Sequence, residues 1–451
     1  MNEAASKHTA ASAARDVGEA PRLPFAPPRL AYVLGVSAAA AVLAALLFVT
    51  GPRAIVYDSY HYDQLSRIVA SEGLGGFQSR VRTYGYPLFL AAARGFRDLA
   101  PETAHALAAA AQVLLHLAAS LAAAVAAGRL FRDRRAFSVV FAAAALDPIL
   151  LLRATEMLSD SPAASLAGLS VFLSLPRGRR PALRAFAAFL CAGAAAALRP
   201  ASIVLLPALA LVWILRARRY REPLVRSLAA GLLAAVLPLA PEVASNARAY
   251  DRWTPLVVDG LYRDQAVWGT GMLKYGTSLV PARAPQIVYT NPFVPGGGSP
   301  AELVRTRPLA YAKTLAGHLF AMFDQDSPYT YVESLRPSAR WPLSLLNYAF
   351  LFLALAGMAL GLARVSAPGD SILYFAAALL SSGALVAIYL PVAVESRFSV
   401  PLYLLLTPAA AHAVLWLSRR RSGTIVASAI AGGGFVAACV QLSRWMTTLI
   451  R

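Results

Sequence analysis

The sequence predicts an all-α polytopic membrane protein, a transmembrane helical bundle of about eleven spans with its candidate chemistry gathered at one side. Three observations predict it. The first is composition: of 451 residues, 58% are hydrophobic and only 14% charged, with a mean hydropathy of +0.55. Soluble domains average about 25% charged residues, so most of this surface faces lipid. The second is the form of the apolar runs. They are long and rich in Leu, Ala and Val, without the alternation of barrel strands, and a helix satisfies its own backbone inside hydrocarbon. The third is the arginine distribution, which clusters at every second connection.

Taken in order, Met1 to about Arg29 is Ala/Ser/Pro-rich, lacks an apolar run and is expected to be a disordered cytoplasmic tail. Residues 30–451 then form the membrane domain. Its first run, Leu30–Thr50, matches a bilayer and exceeds a signal-peptide core, so it is read as a retained helix. The further expected spans are Glu102–Ala127, Ala136–Leu152, Ser161–Leu175, Ala185–Leu198, Ala201–Leu215, Ser227–Leu239, Trp341–Ala363, Ile372–Pro391, Val400–Leu417 and Thr424–Leu442. Tyr84–Ala93 is apolar but only about half the length of a crossing, and is expected to be an interfacial or re-entrant helix. Two connections, 51–101 and 241–340, are too long to be mere connectors. The second contains the run NPFVPGGGSP at Asn291–Pro300 and shows no regular alternation, so it is expected to be irregular.

With a cytoplasmic N-terminus and alternating spans, the inner side carries Lys7, Arg15, Arg22 and Arg29, then Arg129, Arg132, Arg134 and Arg135, then Arg177, Arg179, Arg180 and Arg184, then Arg216, Arg218, Arg219, Arg221 and Arg226, then the single Arg364, and finally Arg419, Arg420 and Arg421. The short outer connections carry the isolated Arg153, Arg199 and Arg397. This is the positive-inside pattern. The Ala/Arg-heavy composition suits a high-GC bacterium, in which this is a multi-pass inner (plasma) membrane protein with a periplasmic outer side. The net charge of +19 belongs to the inner loops, and no nucleic-acid role is expected. Cys191 and Cys439 lie in apolar runs without a CxxC partner and are read as packing residues.

Ionisable residues cluster at outer helix ends, where burial is costly and functional use common. The densest group, Tyr57 to Asp63, contains Asp58 and Asp63; the plain alternative is that Asp58 caps a short amphipathic helix. Arg80 and Arg82, before Tyr84-Gly85-Tyr86-Pro87, suit a phosphate, or equally an interfacial basic and aromatic anchor. Asp147, Arg153, Glu156 and Asp160 fall in one tight turn. Glu156 and Asp160 share a helical face, or Arg153 and Glu156 pair to close the turn. Arg199 and Arg397 suit an anionic ligand, or snorkel to headgroups. No Walker A, GxGxxG, HExxH or GxSxG motif is present, which argues against an ATP-driven pump.

The order and sidedness of several segments carry a resemblance. These are YDSYHYDQLSRIVASEG after the first helix, the Arg/GYPLFLA segment, an outer TE, LRP at a helix start, SNARAYDRWTPL after a Pro-rich helix end, and ESRFSVP before a late helix. Together they resemble the GT-C superfamily of membrane glycosyltransferases, nearest to protein O-mannosyltransferases and bacterial lipid A aminoarabinose transferases. Tyr84 departs from the pattern, standing where that segment often has proline. The chain ends soon after its last span, so an oligosaccharyltransferase is not expected.

The resemblance implies an inverting transferase that moves a sugar from a polyprenyl-phosphate donor to a lipid, glycan or protein acceptor. It makes Asp58 the candidate base with Asp63 in reserve. Arg82, Arg199 and Arg397, with Arg80, become candidate phosphate ligands, while Glu156 orients sugar or acceptor with support from Asp160. Some relatives carry a divalent metal; nothing in this sequence establishes a cofactor or a metal site. The rival function is a transporter or lipid-linked glycan flippase, which predicts charged or broken helices at mid-membrane and gates on both sides. A non-catalytic sugar-binding or assembly protein is the other rival.

Overall fold

The computed structural model describes residues 30–51, 55–177, 180–280, 286–325, 330–332, 340–363 and 371–450. The expected tail, 1–29, lies outside the described residues. Helix α1 (Leu30–Thr50) is followed by two short helices, α2 (Asp58–Glu72) and α3 (Gly85–Ala93). Then come α4 (Pro101–Leu130), α5 (Arg134–Ala145), α6 (Pro148–Thr155), α7 (Asp160–Ser174) and α8 (Pro181–Leu198). A 3-10 turn, Pro200–Val204, leads into α9 (Leu205–Tyr220), and α10 (Leu224–Tyr250) follows. The later spans are α14 (Arg340–Leu362), α15 (Ser371–Tyr389), α16 (Val400–Leu417) and α17 (Ser422–Thr447).

The chain is a multi-pass, all-α membrane bundle. Among the described residues, 9 helices are long and apolar enough to cross a membrane, or up to 10 if the bent pair α5 and α6 counts as one span. Each expected span overlaps a helix, except that Ala136–Leu152 is split between α5 and α6 and Ala201–Leu215 begins in the 3-10 turn. The remaining one, α7, has 15 residues, or roughly 22 Å at the α-helical rise. That is short of the ~30 Å hydrocarbon core, and α7 is buried among its neighbours along most of its length.

The α5–α6 pair bends by 44° at Leu146-Asp147. The cause is local: Pro148 occupies the first turn of α6, and Asp147 Oδ1 accepts from the Ile149 and Leu150 amides at 2.8 and 3.1 Å. The half-buried Asp147 side chain thus caps a helix that proline has restarted. Helix α10 extends well past the expected Leu239, through Pro238 and Pro241 to Tyr250. Each proline removes one amide donor, so the Ala234 and Leu237 carbonyls lose their intrahelical partners; separately, the Tyr84 hydroxyl donates to the Pro238 carbonyl and ties α10 to the start of α3.

The 241–340 connection is more ordered than its sequence suggests. After α10 it forms α11 (Leu261–Gly271), β1 (Met272–Ser278), β2 (Gln286–Thr290), α12 (Pro300–Thr306), α13 (Pro308–Phe323) and β3 (Tyr331–Val332). The sheet order is β2-β1-β3, with β1–β2 antiparallel and β1–β3 parallel. These elements cover one end of the bundle. The Tyr275 amide in β1 donates to the Val394 carbonyl, and the Ala393 amide donates to the Gln265 carbonyl in α11. The loop is thereby tied to the segment just before α16.

Candidate active site

At that covered end lies a cavity of about 540 Å³, within the usual size of small-molecule sites. Its wall combines Asp58, Arg82, Asp160, Arg199, Tyr275 and Arg397 with apolar groups such as Leu198, Ile203, Leu256 and Ile388.

Asp58 is the first residue of α2, and no side-chain hydrogen bond caps that helix. The preceding Tyr57 has φ 50°, a region L side chains rarely adopt, at a cost of about 1–3 kcal/mol. This strained residue turns the chain so that Asp58 points into the cavity. One carboxylate oxygen accepts from Arg82; the other accepts from both Nη atoms of Arg397 at 3.2 Å. Burial by itself pushes the Asp58 carboxyl up, but the Arg397 and Arg82 guanidinium groups outweigh it and hold the group below the usual carboxylate range.

Arg397 also donates to Glu395 Oε1 at 2.6 Å and lies 3.8 Å from Asp160. Asp160, at the start of α7, is buried and pairs with Arg199 at the α8–α9 junction. Arg199 Nε donates to the Tyr389 hydroxyl at 2.7 Å, and its guanidinium lies 4.9 Å from the Phe398 ring centroid. Arg82 lies over the Tyr62 ring. Alternating guanidinium and carboxylate groups thus form one connected network: Arg82–Asp58–Arg397–Asp160–Arg199, with Glu395 attached.

Close backbone approach seats this network. A Cβ on Gly85 would collide with the Ala197 carbonyl, so glycine lets the start of α3 press against the end of α8, two residues before Arg199. Gly269 does the same for α11 against Pro391–Ala393.

The other four candidates lie outside the cavity wall. Asp63 accepts from Arg94 Nη2 at 2.6 Å and Arg67 Nε at 2.9 Å, locking α2 to the end of α3. Arg80 is exposed, lies over the Tyr250 ring, and its carbonyl accepts from the Val258 and Asp259 amides. Tyr84 is buried against α10, where Glu242 Oε2 accepts from its amide at 2.9 Å. Burial, then Glu242, pushes the Tyr84 phenol up to about 12, which keeps it a donor to Pro238.

Glu156 lies apart from the network and follows the alternative in which it pairs with Arg153 to close the turn. It pairs with the buried Arg153, and its two oxygens accept from the Thr330 amide at 2.7 Å and the Thr330 hydroxyl at 2.8 Å. Glu156 therefore fastens the long loop to the α6–α7 turn. Gln112 and His105 of α4 hold that turn by its Ala154, Thr155 and Glu156 carbonyls.

Sequence reasoning missed Glu395, Tyr275, Tyr389 and Phe398. The Tyr275 phenol is pushed up by burial and then by Glu395, whose carboxylate accepts its hydrogen bond. Glu395 did stand in the ESRF segment, two residues before Arg397. Tyr275 sits in a loop without periodicity and left no signal.

Among the described residues no group of three His, Cys, Asp or Glu side chains is arranged to hold a metal ion. Asp58, Asp160 and Glu395 each spend oxygens on arginine. Among the described residues the side chains do not fit a metal centre.

No family model matches the chain, and no curated protein matches it. Among solved structures it is similar to the apo oligosaccharyltransferase of Archaeoglobus fulgidus, at 12% identity and TM-score 0.46, covering 93% of this chain and 56% of that one. It is also similar to that oligosaccharyltransferase in complex with Zn and sulfate, at 14% identity and TM-score 0.44, covering 91% and 52%. A third is ArnT from Cupriavidus metallidurans bound to undecaprenyl phosphate, at 16% identity and TM-score 0.38, covering 87% of this chain and 79% of that one. The chain spans about half the length of the oligosaccharyltransferase it matches. What the protein does is therefore read from its own side chains.

Proposed function

We propose that this protein is an inverting glycosyltransferase of the GT-C type. It moves a sugar from a polyprenyl-phosphate donor to a lipid, glycan or protein acceptor at the periplasmic face of the inner membrane, with its N-terminus in the cytoplasm. The observation that carries this reading is Asp58, held between Arg82 and Arg397 on the wall of a cavity that also presents Arg199 and a wide apolar surface. A lipid-linked phosphate needs these parts together: cations for the phosphate, apolar wall for the first isoprene units, and a carboxylate beside the reacting carbon.

In the reaction an acceptor hydroxyl oxygen attacks the anomeric carbon from the face opposite the phosphate. The new glycosidic bond forms as the bond from anomeric carbon to phosphate oxygen breaks, and the bond pair leaves with the polyprenyl phosphate. Asp58 takes the hydroxyl proton, a contribution of typically 10²–10⁴-fold. Arg82, Arg397 and Arg199 face the charge that grows on the departing oxygen.

With both guanidiniums on it, Asp58 is a weak base. A donor phosphate competes for the same guanidiniums, and its arrival raises the basicity of Asp58 where it is needed. Tyr275 and the 256–265 stretch, contributed by the long loop, line the acceptor side.

The transporter reading asks for free charges at broken mid-membrane helices. Asp147 sits at such a break, but its carboxylate is engaged in capping α6. The test is to supply the purified protein in liposomes with polyprenyl-phosphate sugars and to profile glycolipids and envelope glycans by mass spectrometry with and without the gene. A new glycoconjugate and consumed donor support the proposal. Unchanged glycans and an untouched donor overturn it.

A further inference from the structure

At the other end of the bundle a second cleft, of about 360 Å³, opens between α4 and α8 over the end of α7. Its α4 wall is a single stripe: Ala118, Leu121, Ala122, Val125 and Arg129 recur at three- and four-residue spacing. From first to last the stripe is roughly 16 Å long at the helical rise. Half of a ~30 Å hydrocarbon core is about 15 Å, so the cleft has the depth of one leaflet. Phe172 and Leu183 complete an apolar lining, and Leu183 is 58% exposed, open to the lipid side.

The mouth is cationic. Arg129 stands one residue from the end of α4, and Arg184 stands in the first turn of α8, where it donates to the Pro176 carbonyl. Arg216, which is buried, and Arg129 both lie close enough to repel Arg184, while Glu222 attracts it more weakly. The nearby carboxylate, Glu222, is already taken by Arg216, Nε and Nη2 donating to its two oxygens at 2.7 and 2.8 Å. Among the described residues no carboxylate lines the cleft. An anion placed between Arg129 and Arg184 offsets that repulsion.

We propose that this cleft is a binding site for an anionic glycerophospholipid, with one acyl chain along the α4 stripe and the phosphate between Arg129 and Arg184. The site is separate from the Asp58 cavity and does not depend on the transferase reading. Its occupant ties α4 to α8, the two helices that flank α7, and so braces from behind the helix that starts at Asp160.

The test is native mass spectrometry of the full-length detergent-purified protein, titrated with palmitoyl-oleoyl phosphatidylglycerol or its phosphatidylcholine counterpart. Two basic residues at a membrane surface give a preference on the order of tenfold or more, so wild type is expected to retain phosphatidylglycerol over phosphatidylcholine by that ratio. The double variant R129Q/R184Q is expected to bind both lipids equally. A second variant, Ala122→Trp, fills the stripe while leaving both arginines, and is expected to lose phosphatidylglycerol at an unchanged Tm. Equal retention by wild type, or a preference that survives either variant, overturns the proposal.

Discussion

Asp58 and Asp63 lie five positions apart on one short helix and have opposite surroundings. Asp58 keeps 28% of its side-chain surface and faces the cavity; Asp63 is 8% exposed and is pinned by Arg94, itself 1% exposed. The proposed base therefore predicts a clean division. Asp58→Asn should cut turnover by about 10²–10⁴-fold while donor binding, followed by fluorescence or calorimetry, stays within a few fold. Asp63→Ala should leave chemistry intact and lower Tm by several degrees, because it strands a buried guanidinium at a cost of about 3–5 kcal/mol.

The pH profile follows from sign. A carboxyl held below its usual range stays ionised as pH falls through about 4, so the acid limb of kcat/KM should break below that value. The same pairing stabilises the fold above that pH and is lost as pH falls through the depressed value. An acid limb near neutrality would remove Asp58 as base. Charge scarcity marked Asp58 and Arg397 in so apolar a chain, but it did not rank two aspartates in one helix; only the resemblance put Asp58 first and Asp63 in reserve. That ranking is set by Arg94 and Arg397, distant in sequence.

Elements explain where the reading of residues went astray. Glu156 and Asp160 share a spacing that suggested one site, yet the chain between α6 and α7 is a turn, not a continuous helix, and the two carboxylates part company there. Asp160 enters the cavity, whereas Glu156 goes to Thr330. Glu156→Ala should accordingly act on structure first, leaving Arg153 buried without its carboxylate and releasing the loop. A fall in Tm by several degrees and faster proteolysis within 325–340 are the expected results; full stability with selective loss of donor binding would return Glu156 to the site. The apolar spans were legible because period and length suffice for them. The small sheet and α11–α13 were not, since their order depends on backbone ties such as Tyr275 to Val394, which pair residues more than a hundred positions apart.

For the molecule as a whole, sidedness decides whether the cavity meets the periplasm. The charged network at one end is nearly balanced, with Arg82, Arg199 and Arg397 against Asp58, Asp160 and Glu395. The opposite end collects Arg129, Arg184, Arg216 and Arg419 to Arg421, and that excess is what holds an end on the cytoplasmic side. Orientation can be read directly, because both native thiols can be removed: Cys191 is half-buried and Cys439 buried.

In a Cys191→Ala, Cys439→Ala background, Ser71→Cys places a thiol on the exposed end of α2, and Ser422→Cys places one at the exposed start of α17. A membrane-impermeant maleimide should label the first variant in right-side-out vesicles and the second only after permeabilisation. The converse pattern would turn the Asp58 cavity toward the cytoplasm, where a nucleotide sugar competes as donor. It would overturn the periplasmic assignment while leaving the geometry of the site untouched.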